Sequence, residues 1–296
     1  MRIESKASIA VAISGFLWGL FWIPLRALEH AGLHGIWGLA LFYGLPALMV
    51  LPLFALRRRQ FRASSLRLSL IGVIFAVPLL LYSIAVLETA VIRAILLFYL
   101  TPVWSTLLER LVLGERVTAM RIAGIGLAFT GILIMFGANL VAGESLGPGD
   151  WMALAAGFGW SVSTLALRLN QDLAAPDLFA QNFIWSGLVL VPLLWFFAEP
   201  PAPPLNLALA QLWWSVPVTI GIVMTAVFTS VWGAPKISPG LTGLLYMTEI
   251  SAGAITAAIW ANEPFGLREL AGIVSITLAG AIEPVWTAHR RRTSQA

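Results

Sequence analysis

Thr242, Tyr246, Glu249, Gly253 and Thr256 recur at intervals of 4, 3, 4 and 3 residues within a stretch, 238–260, otherwise dominated by Leu, Ile and Ala. That spacing puts all five on one face of a helix. Glu249 lies near the middle of the stretch. No Lys or Arg shares it, and Lys236, the nearest base in sequence, is thirteen positions away. Burial without a cationic partner disfavours the charged form of a carboxyl. Glu249 is therefore a candidate for exchanging a proton or for meeting a substrate ammonium. A polar seam gluing two helices is the plainer use of the same stripe.

Aromatic residues in other apolar stretches could complete a ligand site. Tyr99, Pro102 and Thr106 form a shorter face in 89–109. Ser14, Trp18 and Trp22 share a face in 7–26, and Trp160, Ser161, Thr164 and Arg168 lie close together in 151–169. With Tyr82 they make an aromatic set suited to an amphipathic ligand, and each ring face attracts an ammonium by about 0.5–2 kcal/mol. Trp37, Trp151, Trp213, Trp214 and Trp286 fit a belt at the membrane interface instead. Arg93 sits near the end of the 89–109 stretch, where it either snorkels or catches a carboxylate at an outer gate. His30 and His34 have metal-ligand spacing without an evident third ligand, so they read as a solvated loop pair. The sequence points to no metal site, cofactor or catalytic set: no histidine lies within the core of a span, and aspartates do not cluster.

These residues need elements that hold them inside a bilayer. Of 296 residues, 59% are hydrophobic and 11% charged, where a soluble domain carries roughly a quarter charged; the mean hydropathy is +0.88. The net charge of +4 sits in short clusters such as 57–67 and 290–292, a pattern of membrane topology and not of nucleic-acid binding. The absence of cysteine excludes disulfides, thiolate metal sites and cysteine nucleophiles. At about 20 apolar residues per crossing, ten spans are expected near 7–26, 35–56, 68–87, 89–109, 118–137, 151–169, 178–198, 212–232, 238–260 and 266–287. With both termini in the cytoplasm, 15 of the 18 Lys and Arg fall on the cytoplasmic side.

The chain also matches itself. At an offset of 148, "LLFYLTPVWSTLLERLVLGE" at 96–115 falls on "LLYMTEISAGAITAAIWANE" at 244–263, and "AGI" at 123–125 on 271–273; at 142, "GFLW" at 15–18 meets "GFGW" at 157–160. The expected architecture is an all-α integral membrane protein of ten transmembrane helices in two five-helix repeats, 1–142 and 143–296. Five is odd, so the repeats are inverted, as in many secondary transporters with a midplane site between the halves. Pro102 then bends the fourth span by removing a backbone donor, and Gly114 ends it at Leu-Gly-Glu.

The stretch "ETAVIRAILLFYLTPVWSTLLERLVLGERVTAMRIAGIGLAFTGILIM" resembles the signature half of the EamA family in the drug/metabolite transporter superfamily. The resemblance implies export of small metabolites through a cavity formed mainly by the first, third, fourth, sixth, eighth and ninth helices. The tryptophan-rich first helix and "FYLTPVW" resemble the bacterial aromatic amino acid exporters. That implies neutral or aromatic amino acids as cargo, a bacterial inner-membrane location, and the bilayer and a small molecule as partners; proton coupling would rest on Glu249. Export of drugs, nucleosides or sugar-like metabolites stays open beside it, with a channel or membrane enzyme as the remote classes. The sequence departs from the family where Pro102 aligns with Ile250 and Thr101 with Glu249, so the paired-proline pattern does not extend to the ninth helix.

Overall fold

The computed structural model describes residues 3–63, 65–89, 91–136, 146–197, 202–260 and 266–293, and among these no strand occurs. Seven helical segments are long and apolar enough to cross a membrane: Ile3–His30, Ile36–Leu56, Leu66–Glu88, Pro148–Leu169, Ala175–Phe197, Leu212–Lys236 and Pro239–Trp260. The expected crossings at 89–109, 118–137 and 266–287 correspond to a divided helix at Val91–Leu113, to Ala119–Phe136 and to Leu267–Thr293.

The helices that matter for the site are α1 (Ile3–Leu20), α2 (Ile36–Met49), α3 (Ser65–Glu88), α4 (Val91–Phe98), α5 (Thr101–Leu108), α6 (Ala119–Phe136), α7 (Pro148–Leu169), α8 (Ala175–Phe197), α9 (Thr225–Gly233), α10 (Pro239–Tyr246), α11 (Thr248–Trp260) and α12 (Leu267–Thr293). Packing runs between the halves of the chain. The first helix, α1, lies against α9, α10 and α11; α7 lies against α3, α4 and α5; α2 packs on α8, α6 on α12, and α5 on α10.

Small residues permit these crossings. A Cβ on Gly124 would lie 3.2 Å from Ala279 O, and one on Gly131 would lie 2.7 Å from Gly272 O, so α6 and α12 touch backbone to backbone. The pair Gly15 and Gly19 does the same for α1: a Cβ on Gly15 would lie 2.9 Å from Tyr246 O, and one on Gly19 would lie 2.5 Å from Glu249 O. Such contacts replace the hydrophobic drive that lipid removes. Large side chains such as Trp195, Trp213 and Leu48 point outward.

Two of the helix breaks among the described residues bear on the site. Pro102 opens α5, as its missing donor requires, and the freed Phe98 carbonyl accepts from Thr101 Oγ1 at 2.5 Å. The ninth span breaks too, between α10 and α11, without a proline; the paired-proline argument does not govern it. Met247 (φ −64°, ψ −9°) adopts nearly the backbone of Leu100 (φ −67°, ψ −7°). Here Thr248 Oγ1 bonds Leu245 O at 2.8 Å and Ala12 O of α1 at 3.0 Å, so a tertiary contact stabilises the break.

Two π-helical segments follow a wider i→i+5 ladder. Glu109–Leu113 extends α5 past the expected end at 109 and stops at Gly114, whose φ of +67° suits glycine. Thr219–Met224 leads into α9, and Thr225 Oγ1 donates back to Ile220 O at 2.8 Å across five residues.

Candidate functional site

Glu249 lies in the first turn of α11, where the exposed N–H groups and the helix dipole favour a negative side chain. Tyr99, in the break between α4 and α5, donates its hydroxyl to Glu249 Oε2 at 2.6 Å and lies 3.5 Å from Tyr246 O. The two broken helices are thus joined through their breaks by one side-chain hydrogen bond. Tyr246, the last residue of α10, is hydrogen-bonded to Ser230 of α9.

Aromatic rings surround this bond. Trp160 stands 5.4 Å from Tyr246, 6.4 Å from Phe98 and 4.7 Å from Phe75; Phe98 in turn contacts Tyr99 at 5.3 Å and Tyr82 at 4.3 Å. The structure therefore brings Tyr82, Tyr99, Trp160, Tyr246 and Glu249 into one continuous set. Trp18 lies one residue from the Gly19 contact with Glu249, and its Nε1 is a buried donor with no partner among the described residues. Gly19 and Gly253 supply the close approach of α1 to α11.

Other expected residues go elsewhere. Trp22 Nε1 donates to Thr256 Oγ1 at 3.0 Å, pinning the continuation of α1 to α11, and Arg26 sits over its ring at 5.5 Å. Thr164 is buried and donates to Ser161 O of its own helix at 2.9 Å, so its hydroxyl is spent locally. Pro102 lies at a break, as expected, and packs against Gly243 of α10. Arg93 is on α4, and its side chain lies outside the described residues.

At one end of the bundle is a buried charge cluster that sequence reasoning missed. Arg121, at the start of α6, donates to Glu283 of α12 through Nε (3.0 Å) and Nη2 (2.7 Å), to Glu109 through Nη1 (2.6 Å), and to Ser238 Oγ through Nη2 (2.7 Å). Glu109 Oε2 also accepts from Gly240 N at 2.9 Å. Arg121, Glu109 and Glu283 are each at most 9% exposed. The guanidinium fork matches two carboxylates at once, the geometry that a buried charge needs to offset its desolvation. The same end carries Arg57 paired with Asp177, Arg67 with Asp172, and Arg168 at 4.0 Å from Glu115. Phe98, Phe75 and Ser230 were missed as well, being ordinary residues of apolar spans until the chain folds.

The chain compares with known proteins as follows. Residues 5–137 match the EamA-like transporter family. A solved crystal structure of a protein is 19% identical, with a TM-score of 0.74 over 96% of this chain and 98% of its own, a likeness that shows the fold alone. No curated protein matches the sequence.

Proposed function

Residues 5–137 belong to the EamA-like transporter family, which makes this a multi-pass membrane protein of the drug/metabolite transporter superfamily, and from that premise we propose that it exports small metabolites by alternating access. Its cargo carries an ammonium group, with neutral and aromatic amino acids first among candidates. One observation carries the reading: Glu249 and Tyr99 meet at 2.6 Å between two helix breaks, within an aromatic set. Broken helices at the midplane are where transporters place cargo and coupling ions. A carboxylate beside ring faces attracts an ammonium doubly. The unpartnered Trp18 N–H could then receive the cargo's carboxylate or another acceptor.

The architecture of this reading is ten crossings in two inverted halves, 1–142 and 143–296. Support comes from the packing, which maps onto itself when the halves are exchanged. The crossing of α1 with α11 has its counterpart in α7 with α5, and α1 with α9 in α7 with α3. The sequence offset of 148 carries Gly124 to Gly272 and Gly131 to Ala279, which exchanges the two α6–α12 contacts. Offsets of 142 and 148 likewise carry the Gly15–Tyr246 approach onto Gly157, where a Cβ would lie 2.5 Å from Phe98 O. The end bearing Arg121, Arg168 and Lys236 is the cytoplasmic one in this reading.

Counterflow in proteoliposomes tests it, with a panel of amino acids, nucleosides and cationic drugs. Accumulation of an amino acid against its gradient, competed by related amines, is the expected result. Preference for nucleosides or drugs would replace the cargo class, and equilibration without counterflow would indicate a channel.

A further inference from the structure

The charge cluster at the end of α6 does not touch the proposed cargo site, yet it joins the two halves of the chain. Four of its hydrogen bonds run between residues before 142 and residues after it: two from Arg121 to Glu283, one from Arg121 to Ser238, and one from Gly240 N to Glu109. The fifth, from Arg121 to Glu109, stays within the first half. Directly above, α5 and α10 are in close contact: a Cβ on Gly243 would lie 3.1 Å from Pro102 Cα, and one on Gly240 would lie 2.8 Å from Thr106 Oγ1. This end is closed from the cluster up to the breaks.

Beyond the breaks the arrangement differs. α4 and α11, the opposite halves of the same two broken helices, make no comparable contact among the described residues. Nor, among the described residues, does the cluster have a counterpart there. At the repeat offset of 148, Glu109 falls on Ala257 and Arg121 on Glu269; Glu269 instead accepts from Gly266 N at the start of its own helix.

We propose that Glu109, Arg121, Ser238 and Glu283 form a gate that holds this end shut, resting on the alternating-access reading above. Opening separates the halves, breaks the four crossing bonds, and leaves Arg121 paired with Glu109 in the first half. Glu283 is the group released, and entering water solvates its carboxylate. The gate can open because the basic residue keeps one partner throughout, so no guanidinium is left buried alone. Glu115 and Arg168, the neighbouring charges at this end, lie 4.0 Å apart and face each other across the same division.

The test uses the full cysteine-free chain in proteoliposomes or nanodiscs. A reporter, Ser105→Cys, is placed in the closed segment and its reaction with a small water-soluble maleimide is timed. Glu283→Gln, which removes the released charge, is expected to speed labelling roughly tenfold. Ser238→Ala, which removes one bond and leaves every charge paired, is expected to speed it about threefold and guards against misfolding of the stronger variant. Unchanged labelling in both variants, with monodisperse protein, would overturn the gate. A second arm pairs Ser105→Cys with Gly243→Cys, whose Cβ would lie 3.5 Å from Ser105 Oγ. Oxidation is expected to abolish counterflow and reductant to restore it; counterflow that persists through complete cross-linking would refute the gate. Labelling needs no cargo, so a failed cargo assignment leaves the first arm readable.

Discussion

The two ends of the bundle are built by different means. At one, Arg121 holds two buried carboxylates and a serine, and Arg57, Arg67 and Arg168 reach acids of the other half around it. At the other, the described links between the halves are single bonds: Trp22 to Thr256, Thr89 Oγ1 to Asp150 Oδ1 at 2.8 Å, and Arg268 Nε to the Ile134 carbonyl at 2.6 Å. Charged hydrogen bonds contribute about 1.5–3 kcal/mol each against about 0.5–1.5 for neutral ones. Part of that advantage goes to desolvating the ions, so the difference is one of specificity as much as strength. In the gate proposed above, the molecule rests with the Arg121 end shut and needs a driving event to reverse.

That contrast can be broken most forcefully at Arg121. Arg121→Ala leaves Glu109 and Glu283 buried without their cation, and stability should fall by about 3–5 kcal/mol; thermal unfolding in detergent reads it, and an unchanged midpoint would mean the cluster is already solvated. Next in size is Glu249→Gln, between the ends. It keeps shape but loses the charge, so cargo affinity should drop by about 1.5–3 kcal/mol, roughly 10- to 150-fold; normal transport at every pH would reduce Glu249 to helix glue. Gly19→Ala pushes a methyl against Glu249 O and Ala252, costing about 1–3 kcal/mol by overpacking, visible as a lower unfolding midpoint. At the other end, Trp22→Phe removes a neutral bond and should cost only about 0.5–1.5 kcal/mol, and an effect as large as that of Arg121→Ala would erase the contrast. Smallest is Asp172→Asn. Its bond to the Arg67 guanidinium holds the Asp172 carboxyl below the usual carboxylate range, so the pair's stabilisation is present above that range and fades as pH falls through the lowered value. Both groups are exposed, so neutral-pH unfolding should shift barely at all.

Much of this was legible beforehand because lipid simplifies the code. Apolar length marked the seven helices long enough to cross a membrane, Gly114 ends a helix, Pro102 lies at a break, and the 4-3-4-3 stripe holds Tyr246 and Glu249 near Tyr99. Two things were hidden. The break at Met247 carries no proline, since it is held by Thr248 reaching Ala12 more than two hundred residues away. Arg121 counted only as one of the positive charges that set topology, and nothing in the spacing singled out Glu109 or Glu283 as its partners. Only the packing of α6 on α12 turns them inward. For Thr164 and Trp22, expected to line the site, the structure shows donors taken by nearby acceptors, Ser161 O and Thr256 Oγ1.

The π-helical run Thr219–Met224 has a consequence for how this chain tolerates insertion and deletion. A wider turn absorbs about one extra residue, which rotates all that follows by roughly 100° relative to a regular helical wheel drawn from Leu212. Ser230 meets Tyr246 only on the rotated wheel. Removing a single residue from that run would restore a regular spiral and leave Ser230 on its tyrosine, because the lost residue cancels the wider turn. A change of one residue in chain length is thus absorbed within Thr219–Met224, and the face that α9 turns toward Tyr246 keeps its azimuth.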